Sequence, residues 1–195
     1  MRDKTRAKTR LSIIRIAAVV FALGAGPAAA DRTAPVLGGV IRVGLPDGYC
    51  IDRAASREGR DAAVVLMGRC SSVSAPDPAI VTISVGTAGS ASVLRGGGKT
   101  LAEFFMSDRG RGMLARSGRP GDLRILRASD ADGAFFLYVD DRRVGDYWRA
   151  VTGVKGRLVT VSATGAPGQK LSPEAGRLLV GDVVRSVRKI NPPQG

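Results

Sequence analysis

Leu123-Arg-Ile-Leu-Arg-Ala128, Asp130-Ala-Asp-Gly133 and Ala134-Phe-Phe-Leu-Tyr-Val-Asp140 decide how this chain folds. Two β-prone runs flank a short acidic turn that ends in glycine, which is the pattern of a β-hairpin. The same grammar then repeats. Asp140-Asp-Arg-Arg143 turns the chain, and Tyr147 to Val154 and Arg157 to Thr164 form a second pair around Lys155-Gly156. Upstream, Ala79-Ile-Val-Thr-Ile-Ser-Val85 is the clearest single strand, and Ala62 to Met67 is another. Tyr49 to Asp52 is short and extended. Val40 to Leu45 alternates loosely as far as the turn at Pro46-Asp47-Gly48. Arg53 to Asp61 is polar and reads as a connection with room for one helical turn.

Helices occupy the gaps in this strand pattern. Gly86 to Gly98 is rich in Gly, Ser and Ala and reads as mobile. Thr100-Leu-Ala-Glu103 reads as a capping box, with Leu101, Phe104 and Phe105 on the buried face of the helix it opens. Gly110 and Gly112 weaken that helix, and a second short one is expected around Met113 to Arg116. Ser172-Pro173-Glu174 opens a C-terminal helix with an N-cap, Pro at N1 and an acid in the first turn. Leu179, Val183, Val187 and Ile190 form its apolar stripe, and Pro192 and Pro193 end it. The expected fold is α+β: an antiparallel sheet of about six strands, with a central helix and a C-terminal helix packed on it.

The first thirty residues read as an address. Arg2, Lys4, Arg6, Lys8, Arg10 and Arg15 precede the apolar core Ile16 to Leu23, and Ala28-Ala29-Ala30 forms an A-x-A exit before Asp31. That is a secretory signal peptide cleaved between Ala30 and Asp31. Its apolar core is well short of the ~20 residues of a spanning helix, and no later segment has the length to span a bilayer. The expected organisation is therefore a leader over 1–30, a flexible lead-in over 31–39, one α+β domain over 40–191 and a tail over 192–195.

Composition then excludes chemistry. The sequence contains no His, so the commonest general base and metal ligand near neutral pH is missing. Its two cysteines, Cys50 and Cys70, both follow the leader, and an oxidising compartment favours their pairing. Around a simple hairpin the two sulfurs fall out of register, so the pairing predicts a bend or helical turn between them. Without the leader the chain keeps 24 of its 30 Lys+Arg and 16 of its 17 Asp+Glu, a net charge of about +8 that favours anionic partners. Those charges are scattered, and export removes nucleic acid from the expected partners.

Tempting motifs fail on spacing. Gly96-Gly-Gly-Lys99-Thr100 resembles the end of a phosphate-binding loop, but the position that needs the first glycine is Val93. Asp130-Ala-Asp132-Gly133 resembles the start of a Ca²⁺ loop without its closing acid, and reads as a turn. Asp140 and Asp141 imitate an acid/base pair, but beside Arg142 and Arg143 they read as local ion pairs. Lys99, Lys155 and Lys170 are not in an S-x-x-K arrangement. No catalytic, cofactor or metal residues are assigned. The remaining cluster is Tyr147-Trp148 with Phe135, Phe136 and Tyr138 on the neighbouring strand; core packing is the favoured reading, and any rings that face outward make Arg142, Arg143, Tyr147, Trp148 and Arg149 a candidate recognition surface.

Leu45-Pro-Asp-Gly-Tyr-Cys-Ile-Asp52, the polar run to Asp61 and the apolar Ala62 to Met67 resemble the opening of proteins with the PsbP-like fold. The Thr100-Leu-Ala-Glu-Phe-Phe105 helix, the strands bearing Tyr138 and Tyr147-Trp148, and the closing helix to Val187 follow that family's order. The resemblance implies an accessory or binding scaffold, since members are mostly non-enzymatic and include photosystem subunits and a Ran-binding factor. The cysteine pair and the lack of the family's metal-ligating histidine depart from the pattern, and no functional residue carries over.

Together these readings lead to an expected soluble periplasmic protein, non-enzymatic and without cofactor, that binds an envelope protein or an anionic envelope component. Two alternatives stay open: an envelope hydrolase without a His-based site, and a charge-driven binder of anionic membrane or lipopolysaccharide.

Overall fold

The computed structural model describes residues 32–74 and 77–193; the leader and the Ala30–Asp31 junction lie outside them. Seven strands form one wholly antiparallel sheet: β3 (Tyr49–Glu58), β4 (Ala63–Arg69), β5 (Ala79–Val85), β6 (Leu123–Ala131), β7 (Ala134–Asp141), β8 (Gly145–Val154) and β9 (Arg157–Gly165). Their order is β3-β4-β5-β9-β8-β7-β6. Two meanders, one of three strands and one of four, therefore join where β5 meets β9. A separate hairpin of β1 (Thr33–Val36) and β2 (Ile41–Gly44) precedes them. The fold is α+β as expected, with seven strands in the main sheet instead of about six.

Helices cover the sheet from both sides. α3 (Pro173–Ile190) and the β1–β2 hairpin bury Val81, Ile83, Val161, Phe136 and Trp148 on one face. On the other, α1 (Gly97–Met106) and α2 (Asp108–Leu114) cover Leu137, Val139, Tyr147 and Val151 with Phe105 and Leu114. This explains the two kinds of strand in the sequence. β5 alternates because only its Ala79, Val81, Ile83 and Val85 side is fully buried. β7 is apolar almost throughout because helices lie on both of its faces. Among the described residues, no helix is long and apolar enough to cross a membrane.

The turns are as read. Asp132 and Gly133, and likewise Lys155 and Gly156, have positive φ in two-residue hairpin loops. The Ser172 side chain caps α3 by accepting from Ala175 N at 3.1 Å. The centre of α3's buried face is rotated from the expected stripe: Val180 and Val184 join Val183 and Val187, while Leu179 and Ile190 are only half-buried.

Several local expectations are corrected. Residues 33–36 of the supposed lead-in form β1, whose Val36 is 3% exposed, because pairing with β2 buries the hairpin against the core. The polar Arg53–Glu58 run continues β3 through a bulge rather than making a helical turn. Asp52 accepts from Ala55 N at 2.9 Å, and the Ser56 hydroxyl accepts from Leu66 N at 3.0 Å, replacing ladder bonds. Of the bend or helical turn expected between the cysteines, the chain has the bend, at this bulge, and no helical turn. Cys50 lies opposite Gly68 and Cys70 just beyond the strand end, so the bond crosses the hairpin diagonally with Cα atoms 5.1 Å apart. The Gly/Ser/Ala stretch contains a 3-10 helix, Ser90–Gly96, held by the Ser90 hydroxyl accepting from Leu158 N at 2.8 Å. α1 starts at Gly97 rather than after Thr100, because that 3-10 segment runs straight into it and Thr100 packs over Gly96, where a Cβ would lie 2.7 Å from its own. The second short helix begins earlier than expected, at Asp108, capped by the Ser107 hydroxyl.

Candidate functional site

Two buried aspartates build the most distinctive polar surface of the molecule. Asp141 ends β7 and is 1% exposed. One carboxylate oxygen accepts from Arg116 N at 2.7 Å and the other from Arg143 N at 2.8 Å. Asp122 closes the 3-10 turn Pro120–Asp122. Its carboxylate accepts from the Ser117 hydroxyl at 2.6 Å, Arg119 Nε at 3.0 Å and Arg142 Nη1 at 3.5 Å. Its carbonyl accepts from Arg142 N at 2.9 Å. The Ser117 hydroxyl, and after it the Arg119 guanidinium, hold the Asp122 carboxyl below the usual carboxylate range.

The consequence is geometric. The segment after α2 and the β7–β8 turn are pinned to each other through backbone groups, and four arginines stand around the junction. Arg116, Ser117, Arg119, Arg143 and Val144 line an open depression of about 660 Å³. Arg119 and Arg142 share Asp122, whereas the guanidiniums of Arg116 and Arg143 enter no ion pair among the described residues. Val144 is exposed, and so is Met113 in the last turn of α2. Cationic side chains on a fixed main chain, beside exposed apolar side chains, suit a surface that carries anionic groups over an apolar layer.

The sequence-derived recognition cluster divides between three places. Arg142 and Arg143 belong to this corner. Tyr147 and Trp148 are buried on opposite faces of the sheet, as neighbours in a strand must be. The Tyr147 hydroxyl points to Leu114 O, and Trp148 Nε1 donates to Pro173 O at 2.6 Å. Arg149 donates to the Ser162 hydroxyl and lies 5.4 Å from the Tyr147 ring centre. The five residues therefore do not make one surface. Asp141 is likewise not in a solvated ion pair: it receives backbone N–H groups, while Arg124 pairs with Asp140. Ser117, Arg119 and Asp122 bond within one short segment, but the link from Arg116 to Asp141 and from Asp122 to Arg142 joins segments 20 or more residues apart, which no local pattern signals.

The other motifs have structural roles. Asp132 pairs with Arg185 at 3.5 Å, and the carbonyl of Gly133 accepts from Arg188 and Thr152. Lys155 donates to the carbonyl of Val40.

No family model matches the chain, and no curated protein matches it. Among solved structures, a point mutant of the protein Mog1 is similar to it, with 10% identity over 82% of this chain and 88% of that one, and a TM-score of 0.42. A likeness of that degree assigns neither family nor function.

Proposed function

We propose that this is an exported, non-enzymatic accessory protein of the periplasm that attaches to anionic envelope lipid through the arginine corner. The arrangement of Arg116 and Arg143 carries this reading: their backbones are locked by one buried carboxylate and their guanidiniums are left to an external anion. The cationic leader with its A-x-A exit and the Cys50–Cys70 disulfide support export. The scaffold role fits the likeness to PsbP-like proteins seen in the sequence.

The test is sedimentation with phosphatidylglycerol vesicles, against phosphatidylcholine, using protein recovered from a periplasmic extract. Its N-terminal sequence should begin at Asp31. Each arginine near an anionic surface contributes ~1 kcal/mol, so the R116A/R143A double variant should bind about 30-fold more weakly. The R53A/R60A pair removes the same charge from exposed positions elsewhere and should change little. Equal loss in both pairs would mean that diffuse charge, not the corner, drives attachment.

A further inference from the structure

A second surface runs along α3, on the opposite side of the sheet from α2. The helix is fastened at both ends. Trp148 holds Pro173 O at one end, and at the other Asn191 accepts from Arg42 N at 2.9 Å and donates to Arg42 O at 2.7 Å. Near that end β2 and α3 touch directly: a Cβ on Gly44 would lie 1.8 Å from the Ser186 hydroxyl oxygen. Between the fixings, a groove of about 500 Å³ opens between α3 and the β2–β3 turn. Leu45, Leu171, Leu179 and Val183 line it, and so does Leu178, which is 58% exposed.

Its charges run against the rest of the chain. Asp47, Asp77 and Asp182 line the groove, and no Lys or Arg does, in a protein with 30 Lys+Arg and 17 Asp+Glu. Asp182 is shared with Arg185. Asp47 and Asp77 enter no ion pair among the described residues. Tyr49 donates its hydroxyl to Asp77 O at 2.8 Å and so anchors that residue at the rim.

We propose that this groove docks a segment of a partner protein that carries apolar side chains flanked by lysine or arginine. The apolar lining takes the side chains out of water, and the carboxylates select cationic flanks and repel acidic ones. A second copy seated symmetrically would face its own Asp47 and Asp77 with the same carboxylates, which disfavours self-association here. Anionic lipid headgroups are repelled for the same reason, so this site is separate in ligand class from the arginine corner.

The probes are a short fluorescein-labelled amphipathic peptide of leucine and lysine and its counterpart with glutamate for lysine, read by anisotropy. The lysine peptide should bind, and the D47K and L178Q variants should each weaken it about tenfold. Both substitutions are at exposed positions, and circular dichroism checks that the fold is kept. The R116A/R143A variant should bind the lysine peptide like the parent, whatever happens to its vesicle binding. No binding at millimolar lysine peptide, or binding that D47K and L178Q leave unchanged, overturns the proposal. A concentration-dependent dimer in sedimentation that L178Q weakens would also overturn it, since the occupant would then be a second copy.

Discussion

Replacing Asp141 separates two roles that a carboxylate among arginines can play. Its two oxygens accept backbone N–H groups at 2.7 and 2.8 Å, and the residue is 1% exposed. Hydrogen bonds to a charged group contribute ~1.5–3 kcal/mol each. Both bonds are only part-buried, so water partly compensates the freed N–H groups and the lower end applies. Asp141→Ala should therefore cost about 3 kcal/mol. Asp141→Asn keeps one acceptor oxygen but turns an amide donor toward the second N–H, and should cost about 2 kcal/mol. With a urea slope of ~2 kcal/mol/M, the alanine variant should unfold at a midpoint about 1.5 M lower. Vesicle binding supplies the sharper reading. Removing a negative charge beside four arginines should strengthen attachment to an anionic surface if charge alone matters. If the carboxylate positions the corner, both variants should bind more weakly, even in conditions where they remain folded. Tighter binding by folded D141N, or an alanine variant within about 0.5 kcal/mol of the parent, would refute the reasoning.

Three further outcomes test the scaffold. Breaking the Cys50–Cys70 bond, which spans 20 residues, should cost about 3 kcal/mol in the chain-entropy account; the C50S/C70S variant and the reduced parent should share one urea midpoint, and reductant should not move the variant. The Asp61 carboxyl is held low chiefly by its hydrogen bond from Arg157, and Asp122 chiefly by Ser117. Stability from a carboxyl with a lowered folded pKa is fully present above the unfolded value of ~4 and disappears as pH falls through the folded value, so the urea midpoint should drop below about pH 4 and drop less steeply in D61N. A Cβ on Gly110 would sit 2.1 Å from Phe104 O and 2.7 Å from Phe105 Cα, both backbone; Gly110→Ala should force α1 and α2 apart and lower stability by about 2 kcal/mol, while Gly112→Ala, with its nearest atom at 3.1 Å, should cost less in the same melt.

What was legible in the sequence was whatever is decided locally. Asp132-Gly133 announces its hairpin because Asp and Gly both accept positive φ more readily than most residues, and at Lys155-Gly156 the glycine alone gives the signal. Ser172-Pro173 announces α3 because the cap and the missing N–H act within one turn. β3 outruns its sequence signal because an edge strand with one solvated side can carry Arg53, Arg57 and Glu58 and still pair; its bulge also protects the edge. β1 has no sequence signal because four residues with a proline have no periodicity to show, and only its pairing with β2 makes it a strand. The corner was invisible for a stronger reason. Asp141 meets Arg116 across 25 residues, and no spacing rule links a helix end to a hairpin turn.

The abundance of arginine could not by itself point to a site, because most of the described arginines make contacts within the molecule. Arg157, 8% exposed, ties Asp61 to the carbonyl of Gly86. Arg177 lies 3.5 Å from the centre of the Phe136 ring and 5.5 Å from that of Trp148, holding α3 to the sheet by a cation–π contact. Arg188 fastens the β6–β7 turn to the end of α3. In each case the guanidinium is the fastening. At Arg116 and Arg143 the order is reversed: the backbone is fastened and the guanidinium is not. Fixing the main chain lowers the ordering cost of binding while leaving the charge available. That reversal, rather than the net charge, is what sets the two proposed binding arginines apart from the structural ones on this scaffold.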